Sequence, residues 1–318
     1  MAEFLYNGRR IHYSDSRVEF PIEKPVIFFI HGLASSSRVF ARQIEYFRTT
    51  YRCISLDLFG HGKSDSPSPE SVGEDFYSLS NYSDSIIALL SHLSVEKATL
   101  LGWSLGSAIA FNIALSFPHI IENLILVAHT PVFFSAADHN FPAFTPTEAK
   151  IIIDSFKKEG DTFFETFVAQ QYPEAQGIDH PDYVEEAISD ASALKPDVAH
   201  TVFKVNGYTD FRPVVHQIRA RTLLVSGAED KLCQLSAAKW MHESLEKSTL
   251  VSYAGCGHVP FVGPSAERFS RDVAKFLAHG ISQYLCALMY KMRKTPIERR
   301  RTTAGDIHNS IRICIYTR

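Results

Sequence analysis

Short unbroken apolar runs alternate along this chain with stretches in which apolar positions recur at helical spacing. Pro25-Val26-Ile27-Phe28-Phe29-Ile30, Cys53-Ile54-Ser55-Leu56, Ala98–Trp103, Leu124–Ala128, Thr222–Gly227 and Thr249–Tyr253 carry no apolar/polar alternation. Runs of that length without a polar face predict strands covered on both sides, as in a parallel sheet. Between them, Val39–Phe47, Tyr82–Leu93, the segment from Gly106 to Phe117 before Pro118, and residues 266–278 read as helices. Strands alternating with helices predict a mostly parallel, doubly wound α/β sheet. Asn7-Gly8 between short apolar stretches adds an opening antiparallel hairpin.

The rhythm breaks between Thr130 and Arg212. Pro131, Pro142, Pro146, Pro173, Pro181 and Pro196 split this region into helical pieces, with no buried strand among them. The expected organisation is a core over 1–129, a helical cap over 130–212, the rest of the core over 213–280, and an extension over 281–318. Phe133, Phe134, Phe163 and Phe167 of the insertion are candidates to line an apolar pocket.

Charge refines this picture. The 318 residues carry a net −3, which favours neither a nucleic-acid nor a membrane partner. The distribution is uneven: residues 281–318 hold eight Lys or Arg against two acids, and residues 130–213 hold fourteen acids against six Lys or Arg. No apolar run reaches the ~18 residues of a membrane span. Ile281–Tyr290 followed by Lys291-Met292-Arg293-Lys294 suits a short amphipathic helix or a loose extension of the preceding one, and Arg299-Arg300-Arg301 a solvated basic run. The polar start, with Glu3 early and no apolar segment, gives no secretory signal, so a cytoplasmic protein is expected. Five cysteines without a C-x-x-C read as free thiols. No phosphate-binding or metal-binding motif is present, so no cofactor is expected.

The candidate chemistry lies where the central strand stops. Leu101-Gly102-Trp103-Ser104-Leu105-Gly106 places Gly-x-Ser-x-Gly between an apolar run and a helix-forming one. A turn this tight forces the serine to its tip and leaves no room for side chains at Gly102 and Gly106. A serine hydroxyl attacks only when a base takes its proton, and an acid must orient that base. Gly227-Ala228-Glu229-Asp230 and Gly255-Cys256-Gly257-His258 each follow a strand end, making Asp230, with Glu229 as the alternative, the candidate acid and His258 the candidate base. Backbone amides of Leu33 and Leu105 are the candidate oxyanion donors. His31 is expected to fix the Leu33 loop, and His61 to be structural.

From about Pro25 to Leu277 the chain resembles the α/β-hydrolase superfamily, through His31-Gly32, Asp57-Leu58-Phe59-Gly60-His61-Gly62-Lys63-Ser64, the Ser104 turn, Asp230 and Gly257-His258. Leu101–Gly106, Thr130–Ala136 and Phe211-Arg212-Pro213 are similar to the esterases that demethylate pimeloyl methyl ester carried on acyl carrier protein in biotin synthesis. The resemblance implies a serine carboxylesterase with a carrier-bound acyl ester as substrate. Acyl carrier protein would then dock on basic cap residues, for which Lys150, Lys157 and Lys158 are the candidates, although the acidic cap opposes its approach. The same triad also serves carbon–carbon bond hydrolases, enol-lactonases and a lyase of menaquinone synthesis, and the fold also suits a non-catalytic receptor.

Overall fold

A computed structural model describes residues 2–17, 24–135, 144–158, 161–175 and 181–278. The chain divides into two compact units, Met1–Val273 and Ala274–Arg318. Of the second, only 274–278 is described, as the end of a helix over 266–278. The expected basic extension over 281–318 lies outside the described residues.

In chain order the elements are β1 (Ala2–Tyr6), β2 (Arg9–Asp15), β3 (Val26–Ile30), α1 (Ala41–Phe47), β4 (Arg52–Leu56), α2 (Pro69–Val72), α3 (Leu79–His92), β5 (Ala98–Trp103), α4 (Leu105–Ser116) and β6 (Ile121–Val127). Then follow α5 (Pro146–Lys158), α6 (Asp161–Ala169), α7 (Asp182–Ser192), α8 (Pro196–Asn206), β7 (Arg221–Gly227), α9 (Leu235–Ser244) and β8 (Ser248–Tyr253). The sheet runs β1-β2-β4-β3-β5-β6-β7-β8; β1 and β2 are antiparallel, and every pairing from β4 to β8 is parallel. Asn7 and Gly8 both take positive φ, 50° and 74°, the backbone that suits a two-residue hairpin turn. β5 lies in the middle of the sheet, buried along its whole length.

The helices between β6 and β7 occupy the region where the strand rhythm fails. Thr145 and Glu148 start α5 with reciprocal bonds: Glu148 Oε2 accepts from the Thr145 amide at 2.8 Å, and Thr145 Oγ1 accepts from the Glu148 amide at 3.3 Å. The two ends of the insertion are tied together, because Phe211 N–H donates to Pro131 O and Phe134 N–H to Gly207 O, each at 2.8 Å. Helix α9 is absent from the expected elements. Ala237, Ala238 and Met241 form its buried stripe, too short to stand out in the sequence.

Candidate active site

Ser104 sits between β5 and α4 with φ 53° and ψ −117°. A side-chain-bearing residue avoids this region unless its surroundings hold it there. Three backbone bonds do so: Ser104 N–H donates to Val127 O at 2.9 Å, and Ser104 O accepts from the amides of Ser107 and Ala108 at 2.9 and 3.1 Å. The flanking glycines are sterically required. A Cβ at Gly102 would overlap the Gly106 carbonyl, and one at Gly106 the carbonyls of Ile30 and His31.

His258 and Asp230 meet beyond the ends of β8 and β7. His258 Nδ1 lies 2.8 Å from Asp230 Oδ2, and both residues are buried. The other carboxylate oxygen, Oδ1, accepts from the amides of Leu232 and Cys233 at 2.9 and 3.0 Å, so the acid cannot rotate away from the ring. Among the described residues no such bond ties the Glu229 side chain, and its amide donates to Cys256 O. The backbone of His258 is clamped from two sides. Trp103 Nε1 donates to its carbonyl and its own amide donates to Gln171 O, each at 2.9 Å. The glycine beside it is needed for close approach, since a Cβ on Gly257 would strike Pro173 and Gln171 O.

Ser104, His258, Leu33 and Leu105 line one cavity at the sheet's strand ends. Neither the Leu33 nor the Leu105 amide has a protein acceptor among the described residues. The Leu33 loop is braced by His31, whose Nε2 accepts from Leu58 N–H at 3.0 Å; its proton therefore sits on Nδ1 and is donated to Gly32 O at 2.7 Å. Burial lowers the pKa of His31, which keeps the ring neutral for this bridge. His61 packs edge-on against His31 with ring centroids 5.2 Å apart, and burial followed by the nearby His31 pushes it down to about 3.

Asp230, Cys233 and His258 also offer three metal-ligand atoms within 4.8 Å of one another. The carboxylate and imidazole are already spent on each other and on two amides. Burial, then the Asp230 charge, pushes the Cys233 thiol well up, so it stays protonated and is a poor ligand.

A sequence model described as the alpha/beta hydrolase fold matches residues 25–263. The chain belongs to this family. Among curated relatives, the pimeloyl-[acyl-carrier protein] methyl ester esterase of Nitrosomonas europaea is 24% identical over 239 residues, covering 75% of this chain and 90% of the relative. The 3-oxoadipate enol-lactonase 2 of Acinetobacter baylyi is 25% identical over 229 residues, covering 72% and 80%. Among solved structures, an esterase from Exiguobacterium antarcticum superposes with a TM-score of 0.75 at 22% identity, covering 86% of this chain and 97% of that one.

The insertion of this family member supplies much of the remaining cavity wall, with Phe167 from α6 and Val202, Phe203 and Asn206 from α8. Of the four phenylalanines expected at the pocket, Phe133 and Phe167 line it, while Phe134 and Phe163 do not. Phe133 and Phe134 sit ring against ring, with centroids 5.0 Å apart, and Phe134 is the more deeply buried of the two. Both pack on Phe144 and Phe203, and Phe134 also meets Tyr208. Phe163, one turn before Phe167 on α6, stacks on Phe167 and meets Phe156 edge-on. Lys150 and Lys158 share Asp154, at 2.9 and 3.6 Å, on the exposed face of α5. The side chain of Lys157 lies outside the described residues.

Sequence reasoning missed His129, Phe203 and Phe211 as wall residues. His129 had a usable signal: it follows the carboxyl end of β6, and crevices of open α/β sheets are built from residues just past strand ends.

Proposed function

We propose that this protein is a serine carboxylesterase acting through an acyl-enzyme. The observation that carries this reading is that Ser104, held in a strained turn, opens into the same cavity as His258, whose other ring nitrogen is fixed by Asp230. Ser104 Oγ attacks the ester carbonyl carbon while His258 Nε2 takes the hydroxyl proton. The oxyanion is bound by the Leu33 and Leu105 amides. The carbon–oxygen bond to the alcohol then breaks, and His258 returns the proton to the leaving alkoxide. A water molecule repeats the sequence on the acyl-enzyme, releasing the acid and restoring Ser104. The buried Asp230 carboxylate holds His258 in the tautomer with a free Nε2 and stabilises the imidazolium that forms.

For the substrate we propose a methyl ester on an acyl chain borne by acyl carrier protein, as the name of the Nitrosomonas relative suggests. The aromatic wall of Phe133, Phe167 and Phe203 suits an aliphatic chain. Lys150 and Lys158, two cations on one acid, leave α5 a locally positive face within an otherwise acidic insertion. Labelling with an active-site phosphonate, followed by mass mapping, tests the chemistry: a single adduct on Ser104 is expected, and an unlabelled protein refutes it. Restoration of biotin-independent growth in a host lacking its own methyl esterase tests the substrate. Failure of well-expressed, phosphonate-reactive protein to rescue growth refutes the carrier-bound ester.

A further inference from the structure

The carbonyl of Ser104 and the amide of Leu105 belong to one peptide unit, so a group that bonds to the carbonyl acts on the donor at the other end. Ser104 O accepts from the Ser107 and Ala108 amides at 2.9 and 3.1 Å and, closer than either, from Ser107 Oγ at 2.6 Å. A serine in the first turn of a helix commonly bonds back to an earlier carbonyl. What sets Ser107 apart is a buried ring behind it: His129 Nδ1 lies 2.9 Å from the same hydroxyl oxygen.

Those two contacts fix the protons. A carbonyl can only accept, so the single Ser107 hydroxyl proton lies between Oγ and Ser104 O. Oγ then meets His129 with a lone pair, and Nδ1 carries the imidazole proton. Nε2 is sealed and without a partner among the described residues, which leaves Nδ1 as the ring's point of action. Phe111 stacks on the ring with centroids 5.4 Å apart and Phe211 packs obliquely at 6.0 Å, so the donor cannot swing away. Burial pushes His129 down to about 3, and the ring is a neutral donor at ordinary pH. Ser107 is wholly buried and does not line the cavity.

The groups form a line, from His129 Nδ1–H to Ser107 Oγ–H to the Ser104 carbonyl, and through the peptide to the N–H of Leu105, which lines the cavity. Hydrogen bonds in series polarise one another, the more so away from water. Donation into the carbonyl draws electron density from the peptide nitrogen and makes its N–H a stronger donor. Two backbone amides already hold the carbonyl in the helix, so the hydroxyl is not needed to close the turn. We propose that Ser107 and His129 are positioning residues that orient and polarise the Leu105 amide for the oxyanion, acting through the peptide rather than on the substrate. This role rests on the esterase reading and adds to it the groups that stand behind one oxyanion donor.

The test compares Ser107→Ala with wild type on nitrophenyl esters, counted per phosphonate-titrated site so that unfolded protein does not register. The variant is expected to lose about tenfold in kcat, with KM held within about twofold. A trifluoromethyl ketone, which Ser104 converts to a hemiketal oxyanion, should bind more weakly by the factor lost in kcat/KM, while the matching primary alcohol, which forms no oxyanion, binds as before. His129→Leu should lose about threefold in the same pattern, and His129→Asn, whose side-chain amide can present an N–H at the place of Nδ1, should regain most of it. Unchanged kcat per site in Ser107→Ala, or a loss that sits in KM, overturns the assignment alone, since ester turnover by wild type leaves the esterase reading standing. No turnover of any ester by wild type overturns both. In uniformly labelled wild type the 15N resonances of His129 should place the proton on Nδ1; a proton on Nε2 overturns the relay even if no variant folds.

Discussion

The strand ends and the helical insertion build two walls of one cavity by different physics. At the strand ends, backbone holds everything: Ser104 by three main-chain bonds, His258 by its amide and carbonyl, Asp230 by two amides, and Gly106 pressed on the Ile30 and His31 carbonyls. In the insertion, aromatic side chains do the holding. Phe133, Phe134, Phe144, Phe156 and Phe203 pack ring to ring at centroid distances between 5.0 and 6.3 Å. Backbone contacts tolerate almost no displacement, whereas aromatic clusters repack at modest cost. Reaction and substrate choice can therefore vary separately on this scaffold.

The sharpest way to break that division is at Ser104. On the proposed serine-esterase reading, Ser104→Ala should lower kcat/KM by about four orders of magnitude or more for every ester tested, because nucleophile and base would act as a unit. A loss confined to some substrates would mean that the strand-end wall does not carry the chemistry alone. Gly106→Ala should next cost about 3 kcal/mol of stability by urea unfolding, since the added methyl meets main-chain carbonyls that cannot yield. A nearly neutral result would show the turn to be as deformable as the insertion.

Acid tests the same wall from another side. His61 and His129 are pushed down to about 3 by burial, whereas an unfolded histidine titrates near 6.5. The unfolded chain thus binds protons that the folded one refuses. Their contribution to stability is complete above about pH 6.5 and falls with pH toward about 3, by about 1.4 kcal/mol per pH unit for each ring. Urea titrations between neutral pH and pH 5 should show this slope, reduced by one proton in His61→Asn; an unchanged slope would mean that His61 is protonated within the fold. The smallest effect belongs to the insertion. Phe167→Ala should cost about tenfold in kcat/KM for long acyl esters and several-fold less for acetyl esters. Equal losses for both would tie α6 to the chemistry as well as to the chain.

The strands and the turn were legible because each is specified by neighbours in the chain. An unbroken apolar run such as Val26–Ile30 can hide only between covering layers. Gly-x-Ser-x-Gly likewise encodes its own turn, and Asp230 and His258 stand just past strands that the same patterning reveals. The aromatic wall was legible only in part. Phe133 and Phe134 are identical in kind and adjacent in sequence, yet one lines the cavity and the other does not. Their sorting depends on the extended register between Phe134 and residues 144 and 207, which no local pattern announces.

Taken by itself, the sequence determined the layered sheet, the sharp serine turn and the order of serine, acid and histidine, since those follow from periodicity, glycine sterics and strand ends. The reason for Gly257, the pairing of His258 with Asp230 rather than with Glu229, the burial of the phenylalanines and the unpaired nitrogen of His129 were decided only by tertiary structure. Each depends on contacts between residues tens of positions apart, where a distance of 3 Å separates a bonded group from an unpaired one.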